Sequence, residues 1–194
     1  MIDCLRLSVM YGVSVTSNYE NTFMSKKRLI KRLEWYYPTE RLHTYVTFPV
    51  LLLYLLYTNP KRNMILLTFG LMVCIVILYQ GQYYWKLKLD RLKGVEINQD
   101  ASIRFFNKSK RLNWLLISLM LPVLFIQLYI QKWNVESNNM FLWGVLANVF
   151  AVLEHINYYY IQLMIDNKYD IKYFFKNKKL KKSSLAKDLA ENKI

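Results

Sequence analysis

Four apolar stretches alternate along the chain with segments crowded with lysine and arginine. Windows almost free of charge cover residues 42–58, 64–85, 114–130 and 140–165. A hydrocarbon core of about 30 Å takes roughly 20 helical residues, with about 17 to 25 tolerated. Each window fits or falls close. The phrases "FPVLLLYLLY" and "NMILLTFGLMVCIVILY" are apolar all round, whereas the buried helices of a soluble bundle keep a polar stripe. The pattern therefore predicts an all-α integral membrane protein with a bundle of four transmembrane helices. Pro49, inside the first window, is expected to kink it, as membrane helices tolerate.

The segments between the windows are amphipathic and basic. Residues 25–41 are expected to form an interfacial helix that ends at Pro38. It carries Leu29, Ile30, Leu33, Tyr36 and Tyr37 on one face and Lys26, Lys27, Arg28, Lys31 and Arg32 around the rest. Residues 1–24 lack a clear period and form an N-terminal extension that does not resemble a signal peptide. In the middle loop, "YYWKLKLDRLKG" continues the second helix to Gly94 as its C-terminal cap. Asp100 is expected to cap the next helix. The basic tail, 166–194, is expected to extend the fourth helix, with Lys176, Lys178, Lys179, Lys181 and Lys182 clustered just before Ser183 and Ser184.

Charge gives the orientation. Of the 27 lysines and arginines, 24 fall before residue 42, in 86–113 or after 165, and 3 (Lys61, Arg62, Lys132) fall in the two short turns. Basic flanks stay cytoplasmic, so both termini and the middle loop are expected inside, in the cell (inner) membrane. Aromatic residues agree: Trp35, Trp85, Trp114, Trp133 and Trp143 lie at or near window ends. The net charge of +14 raises the possibility of nucleic acid. However, no nucleic-acid-binding motif is present and membrane orientation already accounts for the charges.

Little in the chain suggests catalysis. Metal-ligand and nucleophile spacings are missing, the two histidines are far apart, and Cys4 and Cys74 have no CxxC partner. No metal or cofactor is expected. Only Glu154 among the 13 acids falls within a span, next to His155. Gly144, Ala147, Asn148, Ala151, Glu154, His155 and Tyr158 recur at three- and four-residue spacing, a small-and-polar stripe that should face the bundle interior. Glu154, His155, Asn148, Asn157, Gln80 and Gln82 form the candidate intramembrane polar site, with Glu154 bridging the fourth helix to the second. A possible duplicated hairpin pairs "YYWKLKLD" at 83–90 with "YYIQLMID" at 159–166.

These features point to a small multi-pass protein without enzymatic activity. Its basic face would bind anionic lipid headgroups, a membrane-protein partner or a second copy. The competing reading is a transporter subunit or membrane enzyme that uses Glu154 and His155.

Overall fold

A computed structural model describes residues 26–134, 139–165 and 168–194. The described chain is helical, and three of its helices are long and apolar enough to cross a membrane: α3 (Ile65–Leu92), α4 (Gln99–Ile130) and α5 (Asn139–Tyr159). They are preceded by α1 (26–42) and α2 (Phe48–Thr58) and followed by the short helices α6 (Lys168–Asn177) and α7 (Ser184–Ala190). The expected N-terminal extension, residues 1–24, lies outside the described residues.

The first apolar window does not begin a separate helix. Helix runs unbroken through Pro38, and the wide turn His43–Thr47 joins α1 to α2. There the Phe48 amide donates to the His43 carbonyl, five residues back. The cause is Pro49, which offers no amide and would press its ring on the Tyr45 carbonyl in a regular helix. Widening the preceding turn relieves that clash. The predicted kink thus takes the form of a π-helical turn.

α3 is the axis. Leu66, Leu67, Gly70, Leu71, Val73, Cys74, Ile77, Leu78, Gln80, Gly81, Gln82 and Tyr84 are all buried, so this helix is enclosed on most sides. Its neighbours turn apolar surface outward, including Leu53 and Tyr57 of α2, Leu121 and Phe125 of α4, and Leu142 and Trp143 of α5. Leu53 is 67 % exposed and Tyr57 91 % exposed. A continuous apolar exterior around a mixed interior suits lipid rather than water.

Close approach fixes α5 on α3. Gly144, Ala147, Asn148, Ala151, His155 and Tyr158 are buried, as the small-and-polar stripe predicts, whereas Glu154 is only half-buried. The partners on α3 are also small. A methyl group added at Gly70 would lie 2.9 Å from the Asn148 backbone nitrogen, and one at Gly81 only 2.2 Å from the Tyr158 ring.

The predicted fourth span, 140–165, ends early. α5 stops at Tyr159, and the chain turns away as extended backbone instead of continuing into the tail. Asn157 causes part of this, because its side-chain oxygen accepts from the amides of Leu163 (2.9 Å) and Met164 (3.4 Å). The tail returns antiparallel: Gln162 donates to the Lys181 carbonyl, Ser183 donates to that of Tyr160, and Ile161 faces Lys182. The two phrases of the suspected repeat therefore differ in structure: the first is helical throughout, whereas the second leaves the helix after Tyr159. At α4 the capping residue is Asn98, whose side chain accepts from the Ala101 amide, and Asp100 lies in the first turn. Gly94 has φ +85°, as a cap glycine should.

Because the Gly70 contact is with backbone, Gly70→Val cannot be relieved by a rotamer change. Unfolding of the purified protein in mixed micelles should show a loss of about 1–3 kcal/mol. An unchanged stability would mean that α3 and α5 do not approach this closely.

Candidate functional site

The polar interior is built from one side chain after another along α3, α4 and α5. Gln80 and Asn113 are buried and exchange two amide hydrogen bonds, of 2.9 and 2.8 Å. Tyr159 donates its hydroxyl to Gln80 Oε1 at 2.7 Å. His155 Nδ1 lies 3.2 Å from Asn113 Nδ2, while its Nε2 has no hydrogen-bond partner. Around the imidazole stand the rings of Trp114, Tyr159 and Tyr160, at centroid distances of 5.5, 5.1 and 5.7 Å. Trp114 Nε1 donates to the Tyr160 hydroxyl, and the Lys110 ammonium sits 4.3 Å above the Tyr160 ring. The arrangement joins three helices and encloses the histidine in aromatic surface.

Glu154 does not belong to this network. One step along α5 from His155, and so about 100° around the helix, it lies near Glu40 of α1 and Cys74 of α3. The hydrogen bonds that join the second predicted span to its neighbours here come from the Gln80–Asn113–His155 group, while Glu154 approaches that span at Cys74. Asn148 is separate again. Its Nδ2 donates to the carbonyls of Leu66 (2.9 Å) and Gly144 (2.7 Å), which holds the far half of α5 to α3. Asn157 terminates α5, and Gln82 is buried beside the network helix without joining it. Of the six candidates, Gln80 and His155 meet through Asn113, and Glu154 is hydrogen-bonded to Asn157.

Asn113 and Tyr159 do not stand out in the sequence. Asn113 borders the third apolar window, and a lone amide at a span edge looks like ordinary interface. Tyr159 sits in a run of three tyrosines that reads as a boundary belt. The one signal is helical register: Asn113 is three residues after Lys110 and directly precedes Trp114, on the basic approach to the apolar window.

A second site lies beyond the network, where α1, α3, α5 and the returning tail converge. Lys93 pairs with Glu34 at 2.7 Å, and Tyr36 stacks on Trp85 at 6.3 Å. Tyr158 donates to Glu40 Oε1 at 2.8 Å. The apolar face of α1 is thus partly spent on protein: Leu33 is 2 % exposed. From the tail, Ser183 Oγ donates to the Tyr158 carbonyl at 2.6 Å, and Asp188 accepts from Tyr84 (2.7 Å) and Lys88 (2.8 Å). Gln99 holds Ile194 by both backbone groups, each at 2.9 Å. Buried and already capping α7, Ser183 is closed to modification.

Between these elements is a cavity of about 270 Å³, open on one side. Arg32, Lys181 and Lys187 supply positive charge, Glu40 and Asp170 carboxyls, and Leu29, Leu33, Trp85 and Leu185 an apolar wall. Asp170 is occupied by Lys181 and by Gln162 at 3.0 Å. Burial pushes the Glu40 carboxyl above its ordinary range, against the smaller opposing effects of the Tyr158 hydrogen bond and His43. Among the described residues, no three His, Cys, Asp or Glu side chains gather closely enough to hold a metal ion.

Comparison with protein-family models, with curated proteins and with solved structures finds no match for this chain.

Because folding raises the affinity of Glu40 for its proton, the folded state binds more protons than the unfolded one above the ordinary value near 4.5. Stability contributed by Glu40 is therefore complete below that pH and declines as pH rises through the folded value. Glu40→Gln should flatten this decline. Unfolding midpoints from pH 4 to pH 8 should show wild type losing more than the variant. Parallel curves would mean that Glu40 is as hydrated as an ordinary surface acid.

Proposed function

We propose that this chain is a four-span membrane protein with both termini and the α3–α4 loop cytoplasmic, serving as a structural or interaction component that binds anionic lipid through its basic end. The observation carrying this reading is the segregation of charge in three dimensions. α1, the end of α3, the start of α4, the end of α5, α6 and α7 gather at one end of the molecule, where Lys93 meets Glu34 and Lys88 meets Asp188. The opposite end holds Lys61, Arg62 and Lys132, where Gln127 donates to the Arg62 carbonyl at 2.9 Å.

Lys26, Lys27, Arg28, Lys31, Arg32, Lys176, Lys178, Lys179 and Lys182 are exposed at the basic end. Lys181 is half-buried in its pairing with Asp170. On α6 the exposed lysines lie beside Ile171, Phe174 and Phe175, and Phe175 is 75 % exposed. Basic groups around exposed aromatics suit a headgroup layer, with each cation near an anionic surface contributing on the order of 1 kcal/mol. α2 supplies the remaining span by continuing the helical rod from α1, so the apolar stretch ends in solvent at Asn59 and Pro60. The transporter or enzyme reading has less support, since Glu154 and His155 face different neighbours.

Two measurements test this. In a background with Cys4 and Cys74 replaced by serine, a cysteine at Asn134 should react with a membrane-impermeant reagent in intact cells. Cysteines at Asn107 or Asn177 should react only after the cells are opened, and the reverse pattern would overturn the orientation. In nanodiscs, thermal stability should be higher with anionic than with neutral lipid at low salt. Replacing Lys176, Lys178, Lys179 and Lys182 with glutamine should remove most of that gain. Equal stability in both lipids would sink the lipid-binding reading.

A further inference from the structure

On one side of α3 the enclosure is incomplete. α2 buries only Leu52, and beside its start lies a hollow of about 440 Å³ that opens to the outside of the bundle. Tyr45 and Pro49 wall it on one side, Leu112 of α4 on the other, and Ile75, Val76 and Tyr79 of α3 form its floor. The polar groups that reach it are already bonded within the protein. Thr44 donates to the Glu40 carbonyl at 2.7 Å, Gln80 exchanges hydrogen bonds with Asn113, and Ser109 is bonded to Tyr159. What remains on offer is apolar surface. A hollow of this size suits a flexible chain, whereas a helix about 10 Å across would not fit.

Each wall carries a cation on the same helical face, towards the basic end. Arg41 stands four residues before Tyr45 and lines an adjoining hollow that Tyr45 shares. Lys108 stands four residues before Leu112, and Lys86 seven residues after Tyr79. Helical side chains lean towards the N-terminus of their helix, so Arg41 and Lys108 lean to the basic end and Lys86 leans back towards the hollow. All three are exposed, and among the described residues none of them is ion-paired. No carboxylate lines this hollow or the one that Arg41 lines. The positive charge here is therefore not offset within the lining.

We propose that this hollow seats one acyl chain of an anionic phospholipid from the surrounding bilayer, with the phosphate held by Arg41, Lys86 and Lys108. Guanidinium and ammonium groups donate charge-assisted hydrogen bonds to phosphate oxygens, and the lysine stems lie along apolar surface while their heads reach the headgroup layer. The inference rests on the proposed membrane placement, but it concerns one lipid in one groove rather than the exposed lysines of α6 and the tail.

The test uses the full chain in a neutral detergent, with native mass spectrometry to count bound lipid. The probe is phosphatidylglycerol carrying a photoreactive group on one acyl chain. One equivalent should bind and, on illumination, label the peptides that contain Ile75, Val76, Tyr79 and Leu112. Phosphatidylcholine should bind at least about tenfold more weakly, and Arg41→Gln with Lys86→Gln and Lys108→Gln should weaken phosphatidylglycerol to a similar degree. The charge-keeping set Arg41→Lys, Lys86→Arg and Lys108→Arg should retain most of the binding, which separates loss of the site from loss of the fold. Leu112→Trp, which fills the hollow without changing charge, should abolish the labelling.

The variant with Lys176, Lys178, Lys179 and Lys182 replaced by glutamine separates this inference from the broader one. It should lose its preference for anionic nanodiscs yet still bind and be labelled by one phosphatidylglycerol in detergent. Unchanged binding by the triple glutamine variant, labelling confined to other peptides, or equal binding of phosphatidylcholine or of a fatty acid would overturn the site. So would a dimer that carries no lipid and is broken by Leu112→Trp, because the hollow would then belong to a second copy of the chain.

Discussion

The buried pairing of Gln80 with Asn113, extended to His155 and Tyr159, is the interaction on which the arrangement of the three long helices depends. In hydrocarbon, one apolar helix gains little by leaving lipid for another, since lipid tails are as apolar as leucine. What distinguishes the native packing is hydrogen bonding between side chains and the close approach of backbones. The amide exchange ties α3 to α4, the histidine and tyrosine tie both to α5, and Asn148 fastens the far half of α5 to α3. Gly70, Gly81 and Gly144 let that happen by keeping side-chain volume out of the α3–α5 contact.

From this core follows the shape of the basic end. With α3 and α5 held together, Tyr158 offers two separate attachment points, its hydroxyl and its carbonyl. The hydroxyl binds Glu40 and so anchors α1, while the carbonyl accepts from Ser183 and so anchors the returning tail. Tyr84 and Lys88, one and two turns beyond Gln80 on α3, receive Asp188. Attachments from distant parts of the chain thus meet at the ends of the same two helices. The cavity beneath α1 is the space they leave.

Much of this can be read from the sequence where physics acts locally. The apolar windows announce the long helices, because a helix that is apolar all round is stable only where lipid or protein encloses it. The stripe from Gly144 to Tyr158 gives the buried face of α5, because small and polar residues at helical spacing have a reason to face another helix. Pro49 announces a disturbance, though not that a widened turn absorbs it. Contacts between distant segments are not legible. Nothing near Asn113 in sequence says that Gln80 is its partner, 33 residues away, and Glu154 draws attention through its charge while the connecting role falls to neutral amides. The tail reads as a basic extension of the fourth helix because lysines crowd it, yet Leu185 and Ile194 are buried. Asn157, which turns the chain back, resembles one more polar residue in the membrane until its acceptor is seen to serve two amides after the helix end.

A double-mutant cycle on Gln80 and Asn113 tests the central claim most directly. Each alanine variant and the double variant are unfolded in mixed micelles, and the three losses of stability are compared. If the amides bind each other as described, the double variant should lose less than the two singles together, by on the order of 1 kcal/mol. Losses that add to within about 0.3 kcal/mol would show that the residues are independent, and would contradict the account of how α3 and α4 are joined.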